Sequence, residues 1–203
     1  MNGFARRREQ SKDEIRKAAW GLFSQFGVDK VSIAAIARKA GVSPATIYNN
    51  FGSKEALARE FVTNAVEQLV NRARDVLALK KQYRQKMAAF VDFISEIVAD
   101  RESAASRSAV LTASIDLQDD ADIRKIRSEA QERMTMLLLA IIQEGKQQGQ
   151  VNTDLSREAL EIYFGLFMNL FTDHQLQHRF SRHPALVRQL GTLMIHGLGV
   201  QRH

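Results

Sequence analysis

Residues 40–57, AGVSPATIYNNFGSKEAL, hold three helix boundaries in eighteen positions, and that compression constrains the fold more than anything else in the chain. Gly41 suits the left-handed backbone that ends one helix, Ser43 can accept a backbone N–H as the N-cap of the next, and Pro44 fits a first helical turn, where a missing N–H costs nothing. Gly52 and Ser53 repeat the stop and the cap. A short helix over about 44–50 is therefore framed by two longer ones and begins three residues after its predecessor ends. That is helix-turn-helix spacing.

The flanking sequence reads as helix throughout. Ser11, Lys12, Asp13 and Glu14 match a capping box, which predicts that the first helix starts there and leaves Arg6, Arg7 and Arg8 on a mobile arm. Ile15, Ala18, Ala19, Leu22, Phe23 and Phe26 recur on one face of it, Gly27 closes it, and Trp20 falls off the stripe, free to pack against the next domain. Ser32 caps a second helix, and Ser53 a fourth running to about Leu79 with Leu57, Phe61, Leu69, Ala73 and Val76 inward. Beyond it the same periodicity predicts a fifth helix on Tyr83, Met87, Phe90, Val91, Ile94 and Val98 and a weaker sixth over 104–115. A seventh runs from about 119–122 to Gly145 or Gly149. The eighth begins at Asp154 or Ser156 and extends through Phe171, and the ninth opens at His183-Pro184 with Leu186, Leu190, Leu193 and Leu198. No stretch alternates as a strand would. The expectation is an all-α protein of about nine helices, with a three-helix head over 1–53 and a helical body over 54–203.

Charge separates the same two regions. The chain has 203 residues and a formal net charge of +6. Residues 1–54 carry ten Lys/Arg against four Asp/Glu, and the remainder nineteen of each. The whole excess sits in the head, which points to a polyanionic partner for the head and a different task for the body. There are no cysteines, so disulfides and thiolate chemistry are excluded. The apolar run at 137–142 is far too short to cross a bilayer, and the N-terminus lacks an apolar leader, so a cytoplasmic location without membrane attachment is expected.

On the short third helix Ile47 and Phe51 are four apart and face inward, which turns Ala45, Thr46, Tyr48 and Asn49 outward. That set suits a duplex groove. Ala45 permits close backbone approach, Asn49 can pair in bidentate fashion with adenine, Thr46 can meet a phosphate or a thymine methyl, and Tyr48 offers an O–H to phosphate. Lys54, at the start of the fourth helix, is expected at the DNA backbone. No arginine lies on the short helix, so readout is expected to draw on Arg38, Lys39 or DNA shape. Arg6 to Arg8 suit either a minor-groove arm or a solubilising terminus.

The run Ser32-Ile33, Ile36-Ala37, Ala40-Gly41-Val42-Ser43 and Ile47 through Leu57 resembles the N-terminal domain of TetR-family transcriptional regulators. The resemblance covers about Ser11 to Phe61. It implies a DNA-binding head, a fourth linking helix, a variable ligand-binding body, and a homodimer formed mainly by the last two long helices. It assigns DNA contact to Ser32, Ala34, Pro44, Ala45, Thr46, Tyr48, Asn49 and Lys54. Ala34 stands where many relatives have a polar residue, and Asn49 where His is frequent, which bears on the operator sequence.

The body is less explicit. Phe90, Phe93, Leu111, Met134, Tyr163, Phe164, Phe167, Met168 and Phe171 are candidates to line an apolar effector pocket, although stripes at helical spacing also serve as plain core or dimer seam. His174 and His178 have a metal-compatible spacing beside Asp173 but no third ligand in view, so no metal or other cofactor is expected. No Ser/His/Asp, paired-carboxylate or phosphate-loop constellation exists, so catalysis has no support. The expected function is a repressor that binds a palindromic double-stranded DNA operator as a homodimer and is released by a small-molecule effector. The alternative is a DNA-associated scaffold whose body binds a protein partner and no effector.

Overall fold

The computed structural model describes residues 3–79, 82–99, 120–170, 173–183 and 185–198, with the side chains of residues 3, 4, 98, 99, 174, 177, 178 and 181 left undescribed. Nine helices lie among these residues: α1 (Gly3–Phe26), α2 (Ile33–Ala40), α3 (Pro44–Phe51), α4 (Lys54–Leu77), α5 (Tyr83–Ala99), α6 (Ala121–Gln147), α7 (Arg157–Asn169), α8 (His174–Arg182) and α9 (Ala185–Leu198). The sixth helix expected over 104–115 falls outside the described residues. Two compact units emerge, one of Met1–Val66 with the described part of Glu102–Ile126, the other of Glu67–Arg101 with Arg127–His203.

In the first unit α1 packs on α2 and α2 on α3. Ile15, Ala19, Phe23, Ile36, Ile47 and Leu57 are fully buried. The Phe61 ring of α4 lies 5.7 Å from that of Phe23 and 6.0 Å from that of Trp20, so Trp20 completes the core of its own unit. Phe26, expected inward, is half exposed. The buried stripe of α1 closes at Phe23, one turn before Gly27 ends the helix with a positive φ.

The start of α1 also departs from expectation. Ser11 caps nothing, because the helix already runs from Gly3. Ala, Arg, Glu and Gln are good helix formers, and i,i+3 and i,i+4 contacts reinforce them: Lys12 pairs with Glu9 at 3.3 Å, and Gln10 donates to Glu14 at 3.4 Å. With Glu14 engaged downstream of Gln10, the capping box is ordinary helical surface.

In the second unit α9 and α8 pack on α5, and α9 also packs on α8. Gly191 determines the rotation of α9, since a Cβ there would lie 2.4 Å from Val91 Cγ1. Val187, Gly191, Met194 and Leu198 therefore face the core, while Leu193, expected inward, is 68% exposed. The expected eighth helix, through Phe171, corresponds to α7, and a helix not among those expected, α8, follows it. α7 stops at Asn169, and Asp173 caps α8 by accepting the N–H of Leu176 at 2.8 Å. Between α5 and α6, the largely buried Lys86 donates to Glu144 at 2.6 Å. Arg133 meets Glu67 through both terminal nitrogens, at 3.0 and 2.8 Å, and holds that carboxyl below the usual carboxylate range.

Candidate nucleic-acid interface

The turn between α2 and α3 forms as its residue types require. Ser32 Oγ accepts the N–H of Ala35, starting α2, and Gly41 ends it at φ 69° with its N–H directed at Ala37 and Arg38 carbonyls. The N–H of Val42 reaches the Ala37 carbonyl at 3.0 Å, completing the C-terminal cap. Ser43 Oγ then accepts the N–H of Thr46 at 3.1 Å and lies 2.9 Å from the Thr46 hydroxyl. Gly52 (φ 81°) stops α3, and Ser53 Oγ accepts the N–H of Ala56 to start α4.

This framing leaves a defined outer surface. Ile47 is fully buried and anchors α3. Phe51 is half-buried, with the Arg16 guanidinium 5.6 Å from its ring centroid. Arg16 also donates to Glu60 at 2.6 Å and to Asp13 at 3.0 Å, so one arginine links α1, α3 and α4. Of the sequence-assigned contact set, Ser32, Ala34, Pro44, Ala45, Tyr48 and Asn49 are exposed and Thr46 is half-buried. Arg38 and Lys39, also exposed, occupy the last turn of α2, where positive charge suits the negative helix end.

Lys54 is placed differently from a free phosphate anchor. Its Nζ donates to the carbonyls of Val28, at 2.9 Å, and Val31, at 3.1 Å, in the loop joining α1 to α2. A cation at the first position of α4 opposes the helix dipole, and the two carbonyls compensate it. One N–H of the three is left for an anion. Asn50 is likewise occupied: its Nδ2 donates to the Thr46 carbonyl at 2.9 Å, and its Oδ1 accepts from Arg8 Nε at 3.4 Å. The Asn50 to Thr46 contact is local, four residues apart on α3, whereas the partners Val28 and Val31 of Lys54 and Arg8 of Asn50 lie more than twenty residues away and leave no local sequence signal.

Farther along α4, Arg59 donates to Asp120 at 2.8 Å. Asp120 also caps α6 by accepting the N–H groups of Asp122 and Ile123. The Ile123 N–H and then the Arg59 guanidinium hold its carboxyl below the usual range.

The candidate effector-pocket residues divide. Phe90, Phe93, Met134, Phe164 and Phe167 are buried, Met168 is half-buried, Tyr163 is partly exposed, and Leu111 and Phe171 lie outside the described residues. Phe90 and Phe93 rings lie 6.3 Å apart, Tyr163 meets Phe164 edge-on at 5.7 Å, and Arg72 sits over Phe93 at 5.2 Å. Tyr83, not among those candidates, is almost fully buried, and burial pushes its hydroxyl up to about 12. That hydroxyl has no hydrogen-bond partner among the described residues. No group of three His, Asp or Glu side chains suited to a metal occurs among the described residues. Nor is any described helix long and apolar enough to cross a membrane.

Residues 15–61 match the family profile of bacterial regulatory proteins, tetR family. The HTH-type transcriptional regulator UidR of Escherichia coli K12 is 22% identical over 177 residues, covering 84% of this chain and 86% of its own. The fatty acid metabolism regulator protein of Bacillus subtilis is 23% identical over 186 residues, covering 91% and 94%. Among solved structures, a transcriptional regulator from Saccharomonospora viridis in complex with choline superposes with a TM-score of 0.77 at 20% identity, covering 96% of this chain and all of that one.

Proposed function

As the chain belongs to the TetR family of DNA-binding transcriptional regulators, we propose that it is a homodimeric repressor, released from a palindromic operator by a small molecule bound in its helical body. The observation that carries the DNA half is the framed outer surface of α3. Ile47 fixes the helix from within, Ala45, Tyr48 and Asn49 are exposed and Thr46 half-buried, and the preceding helix ends in the exposed Arg38 and Lys39. In this reading Asn49 and Thr46 read base edges, while Ser32, Ala34, Pro44, Ala45, Tyr48 and the remaining N–H of Lys54 approach the backbone. The head is taken as 1–53 and the body as 54–203, acting in the cytoplasm where the operator is.

Homodimerisation is supported by uncovered apolar stripes on α7 and α9. Ile162 and Leu166, 59% and 64% exposed, are four apart on α7, and the exposed Leu193 shares a face of α9 with the half-buried Leu186 and Leu190. Two copies present two heads, matching two half-sites one helical turn apart. For the effector, the buried Phe90, Phe93, Met134, Phe164 and Phe167, with Met168 and Tyr163, offer an apolar lining, and Leu111 and Phe171 complete the candidate set. Binding there would release DNA by favouring a form whose heads no longer match the half-site spacing.

The test is a gel shift on DNA flanking the protein's own gene, with and without a panel holding choline, fatty acids and other apolar or cationic compounds. A folded dimer that binds none of this DNA at moderate salt sinks the repressor reading. Unchanged affinity across the whole panel counts against the effector.

A further inference from the structure

Residues 5–10 of α1 are helical and exposed, and the first buried residue on that helix is Ile15. At about 1.5 Å per residue, the exposed stretch from Ala5 to Gln10 runs about 8 Å. Helix that buries nothing recovers little of the entropy lost in ordering it. What the segment displays therefore matters more than what it packs, and it displays Arg6, Arg7 and Arg8.

One of these is tied to the recognition helix. Arg8 Nε donates to Asn50 Oδ1 at 3.4 Å, and Asn50 is itself oriented because its Nδ2 donates to the Thr46 carbonyl at 2.9 Å. The amide thus turns its oxygen toward Arg8. The sequence of α3, PATIYNNF, contains no cation, and its last turn is the negative end of a helix dipole, so a guanidinium there is favoured. With Nε engaged by Asn50, the guanidinium still carries its two terminal nitrogens as donors, and both Arg8 and the neighbouring Asn49 are exposed. A guanidinium fork of that kind matches a phosphate in bidentate fashion.

We propose that the first turns of α1 form a second DNA contact, in which Arg8, positioned by Asn50, binds a backbone phosphate flanking the half-site. Arg6 and Arg7 strengthen the same positive field. The contact fixes the register of the recognition helix and carries no base information.

The test measures binding of the full chain by fluorescence anisotropy across a salt series. One duplex is random sequence and the other is the DNA upstream of the protein's own gene. Arg8→Gln is expected to reduce the slope of log K against log salt by about 0.9 per protomer, with the same fold-loss on both duplexes. Arg84→Gln on the exposed surface of α5 removes an equal charge and is expected to leave the slope unchanged. Asn50→Ala should weaken binding while Arg8 is present and add little in an Arg8→Gln background, the signature of a positioning residue. An unaltered slope for Arg8→Gln, with circular dichroism and oligomeric state intact, overturns the proposal. A loss confined to the upstream duplex overturns the phosphate assignment, and a wild type that binds neither duplex removes the DNA-binding role as well.

Discussion

Lys54 distinguishes a clamp from a phosphate anchor. Truncation by Lys54→Ala removes two charge-assisted hydrogen bonds, to the Val28 and Val31 carbonyls, which hold the α1 to α2 loop against the start of α4. Bonds to a charged group contribute about 1.5 to 3 kcal/mol net when sheltered, and Lys54 is half-buried, so the pair together is worth about 2 to 3 kcal/mol. In a chain of this size about 1 kcal/mol moves the melting temperature by about 2 to 4 °C, so the variant should melt about 4 to 12 °C lower. The assay is thermal and urea unfolding at fixed protomer concentration, paired with DNA binding across salt. A lysine serving phosphate alone would leave the unfolding midpoint unchanged, weaken all duplexes equally and lower the salt slope by about one per protomer. That outcome would refute the clamp.

Asn49→Ala should cost about 1 to 3 kcal/mol on the operator and little on random DNA; equal losses in a binding titration would remove it as a base reader. Gly191→Ala drives a Cβ into Val91 and should destabilise by about 1 to 3 kcal/mol in urea unfolding, with recovery in the Val91→Ala background; additive losses would contradict the contact. Asp120 has a carboxyl held below its unfolded value, so its stabilisation is present above the unfolded pKa and is lost as pH falls through the folded one. The melting difference between wild type and Asp120→Asn should therefore shrink toward the acid end of a pH series, and a pH-independent difference would contradict the ion pair. Leu193→Glu places a charge on the exposed stripe of α9 and should yield monomers in sedimentation; a persistent dimer would move the interface elsewhere.

The α2 to α4 boundaries were legible because each has its own backbone chemistry: Ser32, Ser43 and Ser53 accept N–H groups, and Gly41 and Gly52 take positive φ. The start of α1 was not, since Ser-x-x-Glu reads as a cap only when the residues before it are not helical, and here Ala5 to Gln10 are. Likewise the face of α9 was set by Val91 across the helix pair, so apolar spacing alone selected the wrong leucine. The outward set on α3 followed from Ile47. The engagement of Lys54 and Asn50 depended on a loop and a helix distant in sequence, and no local pattern encodes such contacts.

The hydroxyl pair at the head of α3 sets a direction for protons. Ser43 Oγ receives the N–H of Thr46, so its own proton can turn toward Thr46 Oγ1, 2.9 Å away, and that leaves the Thr46 proton to point outward. A phosphate oxygen arriving there selects this arrangement, and a donor on a base edge selects the opposite one. Aspartate would cap the helix about as well by propensity. It has no proton to pass on, would draw the threonine hydroxyl inward, and would set a negative charge before the DNA. Serine at this position keeps the polarity of the surface reversible.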